Sequence, residues 1–256
     1  MKLNKYNKVI NLILPIITIL AIILIWLLGS VIVNETIILP TPFETVDSMF
    51  SLLGTGEFWL NLIGTVGRSL IAFAVSFMLG LVLAIAVKFS NISKSIIKII
   101  VSIIRAMPTI AVILLLLLWT NSKVAAVVVT MLVVLPTIFS TMNDALGKID
   151  SDIISMLKLY NIRKKDIFCK YIFPIIMPST IRSIGSGLAL NIKLIVAAEV
   201  IAGTARSIGN MMSQAKIYFE TAELFAVVVL MIILSVTIEL VFTKIASKVG
   251  GKYESE

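Results

Sequence analysis

Long apolar runs that alternate with short polar segments dominate the sequence. The first run, residues 9–33, contains no charged side chain over 25 positions. As a helix rising about 1.5 Å per residue it extends about 38 Å, more than the roughly 30 Å of a bilayer's hydrocarbon core. Five more runs have the same character: 60–87, 99–119, 124–142, 176–201 and 224–242. The pattern predicts an all-α integral membrane protein, one transmembrane domain over residues 1–256 with six spanning helices.

The composition supports a membrane location. Apolar residues make up 59% of the chain and charged residues only 14%, whereas soluble domains carry about 25% charged residues. Lys2, Lys5 and Lys8 precede the first apolar run, as basic residues do in a signal peptide. The apolar region of a signal peptide is only about 7–15 residues long, so we interpret this longer run as a retained first span.

The distribution of basic residues predicts the orientation of the chain. Fifteen Lys and Arg residues fall on the side that holds both termini, and only Lys123, Arg206 and Lys216 fall on the other side. Because cytoplasmic loops are enriched in Lys and Arg, both termini are predicted to be cytoplasmic. The basic cytoplasmic loops account for the net charge of +8. The sequence therefore predicts the lipid bilayer as a partner and no binding of nucleic acid.

Two connecting segments are long enough to fold. On the outer side, Leu39-Pro40-Thr41-Pro42 predicts a rigid turn, followed by a short interfacial helix over residues 43–53. On the cytoplasmic side, residues 151–160 within the segment 143–175 have helical spacing of apolar positions. Asn161 then breaks the helix, because Asn adopts the left-handed conformation with little strain. A second helix that starts at Arg163 and ends at Pro174 would complete a helix–turn–helix elbow.

The residue types exclude most enzyme chemistry. The chain has no His and a single cysteine, Cys169, which leaves no His general base, no Cys-cluster metal site and no internal disulfide. A phosphate-binding loop needs Gly, four residues and then Gly-Lys-Ser/Thr. The Gly-Lys pairs at Gly147 and Gly251 are followed by Ile and Tyr. The chain is therefore predicted to be no enzyme and to bind no cofactor or metal itself.

Several motifs occur in a characteristic order. At the elbow these are Ile149-Asp150-Ser151-Asp152, Leu157-Lys158-Leu159-Tyr160-Asn161, Tyr171-Ile172-Phe173-Pro174 and Met177-Pro178. Together they resemble the cytoplasmic "EAA" loop of permease subunits of bacterial binding-protein-dependent ABC importers. Ser155-Met156-Leu157 replaces the Glu-Ala-Ala triplet, and Asn161 replaces the usual turn glycine.

The resemblance extends from about residue 35 to residue 240. Leu39-Pro40-Thr41-Pro42 is similar to the family's outer loop, residues 65–80 to its second span and Arg105-Ala106-Met107-Pro108 to the start of its third. The chain also resembles the nitrate/sulfonate/taurine branch of the family, at Ala198-Glu199, Gly209 and Glu220-Thr221-Ala222.

The resemblance implies the type I ABC importer permease fold, with the elbow as a coupling helix on a separate ATPase. The residues at this contact would be Ser155, Leu157, Lys158, Tyr160, Asn161, Arg163 and Lys164. It further implies two ATPase copies that use ATP and Mg²⁺, a second permease copy in a homodimer, and an external binding protein or lipoprotein. The location implied is the bacterial cytoplasmic membrane.

The branch implies a small anion or organosulfur compound, such as nitrate, a sulfonate or taurine, as substrate. A vitamin precursor or another small heterocycle is the alternative cargo of the same machinery. Two other classes, an ion-coupled secondary transporter and a membrane-embedded enzyme, fit less well. Six spans without an internal repeat argue against the former, and the absence of a catalytic constellation argues against the latter.

Charged side chains within the predicted spans are functional candidates, because a charge at bilayer depth costs at least about 2.5–3.5 kcal/mol. Arg68, Lys193 and Glu199 are either pathway residues or members of structural ion pairs. Lys193 and Glu199 are six residues apart, about 240° around a helix, so each needs a partner on another helix or water. Arg105 and Arg182 lie closer to the inner surface and are expected to snorkel to it.

Overall fold

The structure, a computed structural model, describes the backbone of residues 2–254 and the side chains of residues 14–248 except 89, 151, 158, 164 and 168. Within these limits the chain is helical and contains no β-strand. The helices are α1 (Lys2–Val33), α2 (Pro42–Leu53), α3 (Gly56–Phe89), α4 (Asn91–Ala106), α5 (Thr109–Trp119), α6 (Ser122–Gly147), α7 (Ser151–Leu159), α8 (Lys164–Ile167), α9 (Phe173–Ala202), α10 (Ile208–Ile217) and α11 (Thr221–Glu254).

Five of the described helical segments are long and apolar enough to cross a membrane. They are Leu14–Val33, Gly56–Lys88, Ser122–Gly147, Lys165–Ala202 and Thr221–Lys248. They coincide with five of the six predicted spans, so the all-α membrane fold is confirmed. By their internal contacts the described residues form two units, one within residues 2–59 and 211–230 and the other within 60–210 and 231–254.

The prediction of one continuous third span over residues 99–119 is wrong. The polypeptide forms α4 and α5, which are bent by 91° at the break between them. Pro108 explains the break, because its ring disfavours helical geometry at the preceding residue, and Met107 has an extended ψ of 128°. Together α4 and α5 are long and apolar enough for one span, so the described residues contain five crossing helices, or six if this bent pair is one broken span.

The elbow contains the predicted turn. Asn161 has a φ of 55°, and the amide of Ile162 donates to the carbonyl of Leu157 over 3.2 Å. This six-to-one hydrogen bond around a left-handed residue is the Schellman termination of a helix. The left-handed turn at Asn161 is therefore confirmed.

The second helix of the elbow does not end at Pro174, contrary to the prediction. A π-helical turn, Phe168–Ile172, joins α8 to α9, and Pro174 lies in the first turn of α9. Proline is tolerated in a first turn, where its missing N–H needs no partner. The elbow therefore runs without interruption into the fifth predicted span.

In the first unit, the outer loop is attached to α1 and to the start of α11. The Trp26 indole donates to the carbonyl of Pro40 over 2.9 Å and stacks at 5.6 Å from the Phe225 ring. Thr41 caps α2, and its backbone amide donates to Glu44 over 2.8 Å in a reciprocal capping box. The helix predicted for residues 43–53 is thereby confirmed and has a defined start.

The core of the second unit lies between α3, α6 and α9. Phe73, Ile138, Phe139 and Met142 are all buried there. A Cβ added at Gly187 would lie 2.9 Å from the Phe73 ring, and one at Gly80 would lie 2.9 Å from Ile138. Glycine at these positions thus permits the close helix approach that is common in membrane proteins.

Candidate transport site and coupling elbow

Glu199 of α9 is completely buried and forms an ion pair with Arg68 of α3. The Arg68 Nε atom lies 2.7 Å from Glu199 Oε1, and 13% of the Arg68 side chain is exposed. Thr65, one turn from Arg68 on α3, donates its hydroxyl to Glu199 Oε2 over 2.9 Å. The buried charge is therefore both paired and hydrogen-bonded, as burial in a low-dielectric interior requires.

The same side chains hold the outer segment that follows α9. Arg68 Nη2 donates to the carbonyl of Arg206 over 3.1 Å, and the Ile208 amide donates to Thr65 Oγ1 over 2.9 Å. A Cβ at Gly209 would lie only 2.5 Å from the Glu199 Cβ, so no other residue fits without displacement. We call Thr65, Arg68, Glu199 and Gly209 the outer cluster, after the side of the membrane to which the distribution of basic residues assigns it.

The outer segment is also attached to α6. Gly203 ends α9 with a left-handed φ of 62°, which turns the chain so that the Thr204 hydroxyl donates to the carbonyl of Ser122 over 3.2 Å. The outer ends of α3, α6 and α9 are thereby connected through one short stretch of chain.

The structure brings two of the three predicted pathway residues together and leaves the third apart from them. Arg68 and Glu199 pair with each other, so the expectation that each in-span charge has a partner on another helix holds for Glu199. Lys193 is exposed on α9 and forms no ion pair with any described residue.

Arg105, at the end of α4, is exposed. Its guanidinium donates to the carbonyl of Pro136 in the middle of α6 over 3.0 Å. The contact holds the end of α4 against α6.

A further polar contact joins α3 and α9 inside the second unit. The Asn191 amide, which has no exposed surface, donates to Ser69 Oγ over 2.6 Å and to the Ser69 carbonyl over 2.7 Å. Sequence reasoning missed this pair and the roles of Thr65 and Gly209. The partners of Asn191 and Thr65 lie more than 100 residues away along the chain and that of Gly209 lies across a turn ten residues away, and periodicity carries no information about such contacts.

The predicted coupling residues lie at the tip of the elbow. Leu159 is 83% exposed and Tyr160 75%, and Ser155, Asn161 and Arg163 are also exposed. Leu157 is half-buried. Lys158 and Lys164 have side chains outside the described residues. The elbow thus exposes apolar side chains close in sequence to the basic residues Arg163-Lys164-Lys165.

At both of its ends the elbow joins the core. Ile149 is buried in the apolar core that also contains Met142 and Leu146 of α6, and Ile154 and Tyr171 pack against this core. The Lys88 ammonium donates to the carbonyl of Ile149 over 3.2 Å. The exposed tip is therefore rigidly connected to the membrane helices.

Five to six apolar helices long enough to cross a membrane, an exposed elbow and a buried in-span ion pair are the features of a polytopic membrane protein. The chain belongs to the family of binding-protein-dependent transport system inner membrane components, whose sequence profile matches residues 76–250. The family resemblance inferred from the sequence is thereby confirmed. Members of this family are the permease components of ABC transporters and not their ATP-hydrolysing subunits.

Relatives with similar sequences and solved structures agree with this assignment. A putative aliphatic sulfonates transport permease protein of Bacillus subtilis is 25% identical over 230 residues, 89% of this chain and 81% of the relative. Its Escherichia coli namesake is 26% identical over 213 residues, 82% and 80% of the two chains. An inward-facing MetNI methionine ABC transporter chain superimposes with a TM-score of 0.58 at 20% identity, covering 76% of this chain and 99% of that one. The last comparison shows the type I ABC importer permease fold.

Proposed function

We propose that this chain forms the translocation pathway of an ABC importer for a small anion or organosulfur compound, such as a sulfonate, nitrate or taurine. The observation that carries the proposal is the family match over residues 76–250, which includes the whole elbow. The relatives named for aliphatic sulfonates support the substrate class. An external binding protein or lipoprotein delivers the substrate, and a separate ATPase that binds ATP and Mg²⁺ supplies the energy.

The elbow is the contact with the ATPase. Met156, Leu159 and Tyr160 expose apolar surface on an otherwise polar segment, and such clustered exposure is typical of a protein interface. Because Ile149 and Tyr171 join both ends of the elbow to the core, a displacement of the tip moves α6 and α9 with it. Rigid-body motion of this kind is a recognised route from a nucleotide-driven subunit to a distant site.

The functional unit contains two copies of this chain and two ATPase subunits in the bacterial cytoplasmic membrane. Both termini face the cytoplasm, as the excess of basic residues on that side requires. Lys193 lines the pathway, since it is the one of the three predicted pathway residues Arg68, Lys193 and Glu199 that is exposed and without an ion pair within the described residues.

Cross-linking of the elbow tests the proposal. In a Cys169→Ser background, Tyr160→Cys is labelled with a thiol-directed photo-cross-linker while the chain is co-expressed with its ATPase. We expect a covalent adduct with the ATPase from Tyr160→Cys. Thr36→Cys, an exposed site on the outer segment, should give none.

Adducts from the outer site alone would contradict the coupling role.

The substrate class is tested on the binding protein that co-purifies with the complex. Calorimetric titration of this protein with ethanesulfonate, taurine and nitrate gives heat only if the cargo is of the anion or organosulfur class. Binding of a heterocycle instead would assign the alternative cargo.

A further inference from the structure

The exposed face of α9 carries two positive charges along one line. Arg182, Ser186, Lys193 and Ala197 are all exposed. At about 100° per residue, Arg182 and Lys193 differ by only about 20° around the helix, and at about 1.5 Å per residue they are about 16.5 Å apart along it. The two cations therefore lie on the same face, three turns from each other, with Ser186 between them.

This face differs from the exposed face of α3. On α3 the exposed side chains include Leu70, Ile71 and Met78. Large aliphatic side chains of this kind suit contact with lipid. A face of Arg, Ser, Lys and Ala does not, because unpaired charges are costly in hydrocarbon and are found facing the bundle interior or a water-filled cavity.

No described carboxylate neutralises either cation. The only fully buried carboxylate of the described spans, Glu199, is taken by Arg68. Glu239 of α11 is exposed and lies beyond ion-pair distance of both Arg182 and Lys193. The charge on this face must therefore be balanced by water and by anions from solution.

We propose that Arg182 and Lys193 form a two-station track along which an anion passes, with Lys193 near the middle of α9 and Arg182 closer to the elbow. The inference rests on the proposed transport function and narrows its substrate class to anions. A spacing of about 16.5 Å is too long for one small anion to bridge, so the cations act in succession. Successive weak sites allow passage, whereas a single strong site would retain the ion.

Ser186 leaves space between the stations. Its side chain is small, and its hydroxyl donates to the carbonyl of Arg182 over 3.2 Å, which holds it against its own helix. A cysteine at this position therefore reports both the access of water and the electrostatic potential between the two cations.

Charged thiol reagents test the track without knowledge of the natural substrate. Ser186→Cys in the Cys169→Ser background is expressed as the full chain with its ATPase and treated in permeabilised membranes. One reagent is the anion 2-sulfonatoethyl methanethiosulfonate, and the other is the cation 2-(trimethylammonio)ethyl methanethiosulfonate. The measured quantity is the ratio of the two modification rates.

We expect both reagents to react and the anionic reagent to be favoured. Removing one cation should lower the ratio about tenfold for Arg182→Gln and about fourfold for Lys193→Met, the effects of one unit charge at about 6 Å and about 10.5 Å along the helix in a water-like dielectric. Arg182→Lys and Lys193→Arg should keep the parental ratio. As a matched control, Ile71→Cys on the aliphatic face of α3 should react with neither reagent.

Two results would overturn the track. Absence of reaction at Ser186→Cys with both reagents would show that the face is dry, and an unchanged ratio in Arg182→Gln and Lys193→Met would show that the cations do not shape the potential. Failure of the transporter assignment itself is read separately, from loss of the elbow adduct with the ATPase.

Discussion

Glu199 combines complete burial with three polar neighbours, which makes it the most constrained ionisable residue of the described chain. Its carboxylate contacts Arg68 and Thr65, and the Gly209 amide lies 3.4 Å from Oε2. Removing one member of a buried ion pair is more harmful than removing both, because the remaining charge stays buried without compensation. The outer cluster is therefore sensitive to single substitutions.

Glu199→Gln is expected to destabilise the protein strongly. It leaves the largely buried Arg68 guanidinium unpaired, at a cost of roughly 3–5 kcal/mol. The measurement is the fraction of detergent-solubilised permease–ATPase complex that survives a heating series on gel filtration. The double variant Arg68→Met with Glu199→Gln should regain part of the loss. Lys193→Met serves as the control, since an exposed, unpaired charge can be removed without loss of stability. Equal melting of all three variants would refute the structural role of the pair.

The sequence predicted that such charges need partners but not which partners they have. The 240° offset of Lys193 and Glu199 excluded a pair along one helix, and the structure supplies Arg68 on α3 as the mate of Glu199. The choice among Arg68, Arg105 and Arg182 depends on how α3 packs against α9. That packing is set by small residues such as Gly187, whose contacts are invisible in a one-dimensional pattern.

At the scale of the helices, the length of the apolar runs predicted where the membrane helices lie. It did not predict whether a helix is continuous or broken. Runs of apolar residues identified five spans because the bilayer fixes the minimum length of a crossing helix. The break at Pro108 was missed because its neighbours Met107 and Thr109 leave the apolar run intact. Pro136 and Pro178 lie inside continuous helices, so a proline alone does not decide between a break and a tolerated position.

The turn of the elbow was predictable because its chemistry is local. Asn161→Gly should be close to neutral, whereas Asn161→Val should strain a residue held at a φ of 55° by about 1–3 kcal/mol. The expected defect is weaker stimulation of ATP hydrolysis by substrate-loaded binding protein, with the six crossings still inserted. Parental stimulation in the Val variant would mean that the turn is not required for coupling.

At the scale of the whole molecule, the distribution of charge gives a testable topology. With both termini cytoplasmic, a membrane-impermeant maleimide added to intact cells should label Thr36→Cys and Ala205→Cys in the Cys169→Ser background; both sites are exposed. Native Cys169, which is also exposed, should be labelled only after the cells are opened. Labelling of Cys169 from outside would reverse the orientation.

The ion pair of Arg68 and Glu199 also bears on the order in which the chain matures. Its two members are 131 residues apart, and at about 5–20 residues per second the ribosome needs roughly 7–26 s to make the intervening chain. During that interval Arg68 has entered the bilayer in α3, while its carboxylate has not yet been synthesised. Native pairing at the outer cluster is thus a late event of biogenesis, and a nascent chain halted before α9 carries an uncompensated arginine in the membrane.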